Sequence, residues 1–201
     1  MLSGPAHPYE PCLSRCGRAR LEAADHRGES GGSGTGVRGL ALPDLLIDLL
    51  AAGRWRHPGD DVVREVVPWF EDPLIFLTSV DHMHRESRSL DLFADNSRSS
   101  ELFRVARRSV VGPVELPWLD VELAFLVAVN RMPGDDVAIA LDYRSDPSDP
   151  RVVASDLWTD PKQCAWRVVA PTLSAFAEML GLLAEQPVAR FPAGEPDGPV
   201  M

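Results

Sequence analysis

Asp81-His82-Met83-His84-Arg85-Glu86 is the densest run of groups able to carry a proton or a metal ion. On a strand His82 and His84 would share a face and could chelate a metal with a distant carboxylate. On a helix a two-residue step turns them apart. A zinc site needs three or four protein ligands, and no third ligand stands nearby in sequence. The run reads as a polar surface or loop, with a metal-dependent enzyme using His82 and His84 as the alternative. His7, Cys12 and Cys16 could also ligate zinc, but they sit in a stretch too polar to fold, so their spacing reads as incidental.

Two strings match nucleotide-binding and hydrolase patterns. Gly34, Gly36 and Gly39 fit G-x-G-x-x-G, and Gly28, Ser30 and Gly32 fit G-x-S-x-G. Both motifs work only at a turn from a strand into a helix, and a Ser/Gly run surrounds both here. No Ser/His/Asp or Cys/His set has the context that nucleophilic catalysis requires. The reading is therefore non-enzymatic, with no catalytic, metal or cofactor-binding residue assigned and no cofactor expected.

Asp135, Asp136, Asp142, Asp146 and Asp149 crowd one region at a spacing no calcium loop uses. They read as solvated turn carboxylates, Asp142 also being able to satisfy backbone groups. The competing reading is an acidic patch that steers a cationic partner. Trp118, between Pro117 and Leu119, is either half-buried support or an exposed anchor. Asp135, Asp136, Asp142 and Trp118 are thus the candidate partner-binding residues.

The 201 residues hold 20 basic and 30 acidic side chains, a formal charge of −10. The first 41 residues, with five Arg and four acids, are close to neutral, so the remainder carries the imbalance. Such a surface repels nucleic-acid phosphates and attracts basic proteins. Three cysteines do not make a secreted disulfide framework, and Cys164 reads as a small core residue. Neither a run long enough to cross a membrane nor a signal peptide is evident, so a cytoplasmic protein is expected.

Periodicity gives the elements that position these residues. Residues 1–40 end in a Gly/Ser run and read as a disordered leader. Residues 41–184 read as one domain, and 185–201, rich in Pro and Gly, as a disordered tail. Leu42, Leu45, Leu46, Leu49 and Leu50 form a helical stripe ending at Gly53, with Pro43 in the first turn. A short helix spans Asp60 to Val67, capped by Asp60 or Asp61. Leu74 to Leu77 is a strand or a helical turn. Residues 78–101 read as polar loop, and Leu102 to Arg107 as an edge strand. Leu123 to Asn130, Val137 to Tyr143, Val152 to Trp158 and Ala165 to Ala170 are strands, the first two joined into a hairpin by a Pro-Gly-Asp turn. Thr172 caps a closing helix to Leu182. Consecutive strands flanked by helices give an α+β fold class rather than βαβ repetition.

Pro133-Gly134-Asp135-Asp136, leading into Val137 to Arg144, resembles the Gly-Asp turn and apolar strand of the SUKH superfamily. That group is related to yeast cell-wall-synthesis regulators and bacterial immunity proteins. Val152-Val153 resembles its next strand, and Val168 to Phe176 its last strand and closing helix. Leu116 to Asp120 is similar to a feature of a narrower subgroup. The resemblance implies a twisted, mainly antiparallel sheet packed against helices, and no catalysis. It also implies a protein partner, with a basic toxin domain the expectation for an immunity-type member. A regulatory interaction domain without a toxin partner is the alternative it leaves open.

Overall fold

The computed structural model describes residues 36–108, 114–131, 138–160 and 162–184. Within them the chain forms β1 (Gly36–Val37), β2 (Leu40–Ala41), α1 (Asp44–Ala51), α2 (Asp60–Val66), β3 (Leu74–Phe76), α3 (Val80–Asp95), α4 (Ser97–Phe103), β4 (Val105–Ala106), β5 (Leu119–Asp120), β6 (Ala124–Asn130), β7 (Ala138–Asp142), β8 (Arg151–Asp156), β9 (Ala165–Ala170) and α5 (Leu173–Met179). The fold is α+β. Five strands make one antiparallel sheet in the order β3-β6-β7-β8-β9.

Register and side-chain alternation define two helical layers. Phe76, Ala128, Ile139, Ala154 and Arg167 are paired in turn across the five strands, so their side chains share one face. On that face Trp55, just after α1, lies 5.3 Å from the Phe76 ring and 6.5 Å from Phe176 of α5. Trp69, just after α2, lies beneath the Arg167 guanidinium. Trp166, the neighbour of Arg167, points to the other face and donates its indole N–H to the Phe103 carbonyl at the end of α4. The sheet therefore separates a layer of α1, α2 and α5 from a layer of α3 and α4. With helices on both sides, every residue from Ala138 to Asp142 is buried.

The largest correction falls on residues 78–101, expected as loop. They form α3, sixteen residues long, and most of α4. Ser79 caps α3 by accepting the His82 amide, and Asn96 caps α4 by accepting the Ser99 amide. Met83, Ser87 and Leu90 are the buried positions of α3, and Phe93 stacks on Phe103 at 4.4 Å. Ser87 is the reason the stripe is hard to see. Its hydroxyl accepts the Leu126 amide at 2.9 Å, where the β6–β7 register shifts, so a polar side chain occupies a core position of the helix.

The leader boundary at residue 40 is also corrected. Gly36 to Ala41 form a hairpin whose two-residue turn, Arg38-Gly39, has positive φ at both positions, 56° and 81°. A Cβ on Gly36 would lie 2.8 Å from the Leu40 carbonyl oxygen, so only glycine fits. Val37 is fully buried, and Arg38 is bonded to Asp91 and to the Ser87 and Val121 carbonyls. Strand β2 begins directly after Gly39, where a dinucleotide motif would need a helix. Of the expected edge strand at Leu102 to Arg107, Leu102 and Phe103 end α4, and Val105 and Ala106 form a strand that pairs in parallel with β5. Gly59, not an aspartate, is the N-cap of α2. The strands at 124–130, 138–142, 151–156 and 165–170 fall where expected, and Thr172 caps α5 as expected. Residues 1–35, the tail from 185 and most of the turn before β7 lie outside the described residues.

Candidate interaction site around Asp142 and Trp118

Asp142, expected at the surface, lies in the interior, with none of its side chain exposed. Strand pairing decides this. As the last residue of β7, Asp142 stands between Ala124 of β6 and Arg151 of β8. The Arg144 guanidinium folds back onto it, Nε donating to Oδ1 at 2.8 Å and Nη2 to Oδ2 at 2.7 Å. Arg151 donates its Nε to Oδ2 at 2.8 Å, and the Arg144 amide donates to Oδ1. Burial by itself would raise the Asp142 pKa, but the two arginines outweigh it and hold the carboxyl below its usual value. A carboxylate clamped in this way has no free lone pair for a partner or a substrate. Asp142 is therefore withdrawn as a partner contact.

Trp118 is half-buried, and Arg144 links it to Asp142. Arg144 Nη1 donates to the Trp118 carbonyl at 3.0 Å and also to the Val114 carbonyl. Two of the four candidate residues are thus parts of one assembly, through an arginine the charge pattern did not single out. The available signal was Asp-Tyr-Arg at a strand end, which puts a carboxylate and a guanidinium on the same side of the chain two residues apart. Asp135 and Asp136 lie outside the described residues.

The other carboxylates of the region have local tasks. Asp146 accepts the Ser148 amide and hydroxyl within a turn. Asp149 accepts the Ser174 amide at 3.0 Å and so caps α5 from a distance. Asp156 ends β8, accepts the Trp158 and Thr159 amides and faces Arg167 at 2.7 Å. Burial opposes its ionisation, and those bonds with Arg167 still bring its pKa below the usual value. Asp120 differs from these. Its Oδ1 accepts the Glu122 amide at 3.0 Å, its buried Oδ2 has no hydrogen-bond partner, and burial raises its pKa.

His82 and His84 lie on α3 and diverge, as a helix requires. His82 Nε2 is 3.5 Å from Glu86, one turn on, whereas His84 Nε2 is 2.9 Å from the Gly36 carbonyl oxygen. Among the described residues no group of three or more His, Cys, Asp or Glu side chains is placed to hold a metal ion. His7, Cys12 and Cys16 lie outside them. Trp166 and Cys164 are buried, as expected. Burial pushes the Cys164 thiol up to about 12.

Charge is divided between the two helical layers. Residues 41–79, which contain α1 and α2, hold seven carboxylates and three arginines, and Asp44, Asp48, Asp60, Asp61, Glu65 and Glu71 are exposed. Residues 80–108, which contain α3 and α4, hold five carboxylates and six arginines. Residues 41–79 thus carry four more carboxylates than arginines, and residues 80–108 one more arginine than carboxylates. Compared with known proteins, the chain matches no family model, and no curated protein and no solved structure matches it significantly.

Proposed function

We propose that this chain is a non-enzymatic protein-binding module of the immunity type, which engages a basic protein domain through its α1–α2 side. The observation that carries the reading is the exposed carboxylate set Asp44, Asp48, Asp60, Asp61, Glu65 and Glu71, on the segment that contains α1 and α2. Such a surface accelerates encounter with a cationic protein and repels phosphate backbones, so nucleic acid is not the partner assigned. The resemblance to the SUKH superfamily supports the same reading, and with it a toxin domain as partner. No helix of the described residues is long and apolar enough to cross a membrane, and the cytoplasm is the compartment we assign.

The test is affinity capture of the partner from native lysate by the tagged full chain, over a salt series, beside an Asp60→Lys/Asp61→Lys/Glu65→Lys variant. One protein should be retained near stoichiometrically at low salt, released as salt rises, and lost with the variant. Capture that is indifferent to both salt and variant, or no protein above background at any salt, would sink the proposal.

A further inference from the structure

An antiparallel sheet that ends in an open strand invites pairing with another chain. β9 is such an outer strand, and its outer edge is closed by two carbonyls from elsewhere in the chain. Trp166 is opposite Ser155 of β8, yet its amide donates to the Pro117 carbonyl at 3.1 Å, so it points away from β8. Two residues earlier the Cys164 amide donates to the Leu102 carbonyl at 2.8 Å. Two residues later no carbonyl of the described residues covers the Val168 amide, and Val168 is 47% exposed. Pro117 suits this position. It supplies one acceptor and has no N–H, so it cannot extend a ladder.

Pro117 is held there by Arg144. The guanidinium grips the Val114 and Trp118 carbonyls, at both ends of the segment, and is itself fixed by its two bonds to Asp142. A turn bond from the Trp118 amide to the Glu115 carbonyl keeps the segment folded between those grips. The segment is thus fastened from the β7 end, and at its exit by the Leu119 amide bonded to the Arg104 carbonyl at 2.8 Å, as well as by its single bond to β9.

We infer that residues 114–118 form an edge guard on β9, latched by Arg144 and Asp142, which keeps a second copy of this chain from pairing antiparallel with Trp166 and Val168. Opening the latch uncovers the Trp166 amide beside the open Val168 position. That edge recognises its own antiparallel copy, because each strand then offers the row of donors and acceptors the other lacks. The guard does not depend on the function proposed above, since it concerns a different layer and a different partner.

Amide exchange on the full chain under native conditions, with a concentration series in light scattering, tests this. In the native chain the amides of Trp118 and Trp166 should exchange together, about tenfold or more faster than the Arg167 amide, which points to β8. Arg144→Gln should raise Trp166 exchange while leaving the β6 and β7 amides unchanged, and should produce a dimer at high concentration. Adding Val168→Lys, a charge on the open edge, should return that variant to monomer. Trp166 as protected as Arg167 in the native chain overturns the inference even if Arg144→Gln fails to fold. A released variant that stays monomeric, or a dimer indifferent to Val168→Lys, also overturns it.

Discussion

Arg144 and Asp142 meet through two parallel hydrogen bonds of 2.8 and 2.7 Å, with 7% and 0% of their side chains exposed. A buried bidentate pair is geometrically demanding, and removing one member strands the other charge in the interior. Through this pair the β7–β8 turn, the Trp118 segment and the sheet edge become one mechanical unit.

Asp142→Ala should cost about 3–5 kcal/mol, the usual penalty for leaving a buried partner unpaired. Arg151, more exposed at 22%, should cost only about 1 kcal/mol or less as Arg151→Ala. Urea unfolding of the two variants checks the order. Equal losses would show that Arg151, not Arg144, carries the clamp on Asp142.

Acid should unfold the protein through its clamped carboxylates. Asp142 and Asp156 have folded pKa values below the unfolded one, and Asp91, paired with Arg38 and Arg107, behaves the same way despite the opposing effect of burial. Their stabilisation is full above an unfolded value of about 3.9 and is lost as pH falls through the folded values. Asp120 has the opposite sign, since its folded pKa is raised. Its contribution is present below the unfolded pKa and is lost as pH rises through the folded one. Asp120→Asn should therefore raise the urea midpoint at neutral pH, and the gain should vanish below the unfolded carboxyl pKa. A midpoint that falls at neutral pH would contradict this.

Ser87→Ala should destabilise by about 1–3 kcal/mol, because the Leu126 amide then remains buried without an acceptor at the β6 irregularity. Exchange of the Leu126 amide should accelerate more than that of its neighbours in β6. Ala is the better helix former, so propensity alone would give the opposite sign.

Cys164 should resist alkylation in the folded chain, since its thiol is buried and its pKa is pushed up to about 12. In a variant with Cys12 and Cys16 replaced by Ser, labelling should track the unfolding rate. Fast labelling under native conditions would show that β9 opens locally at its first residues.

Local pattern and tertiary context divide the fold between them. Leu46 and Leu49 of α1 and the apolar runs of β6 to β9 are legible because burying one face or both imposes period 3.6 or a continuous run on the residues themselves. Thr172 is legible as a cap because the helix end needs an acceptor within reach of its own chain. α3 is not legible as a helix, because Ser87 replaces an apolar position to serve an amide 39 residues away. The hairpin at Arg38-Gly39 is hidden for a similar reason. Its structure comes from the grip of Arg38 on Asp91 and on two distant carbonyls.

The sequence by itself determined the fold class, most strand positions, the core role of Trp166 and Cys164 and the net negative charge. Each of these depends on residue type and near-neighbour spacing. Only the tertiary structure decided that Asp142 is an interior clamp rather than a surface contact. It also decided that Pro117 closes the edge of β9. These depend on which strand lies beside which, and a carboxylate is accessible or inaccessible according to the arginines that register places against it.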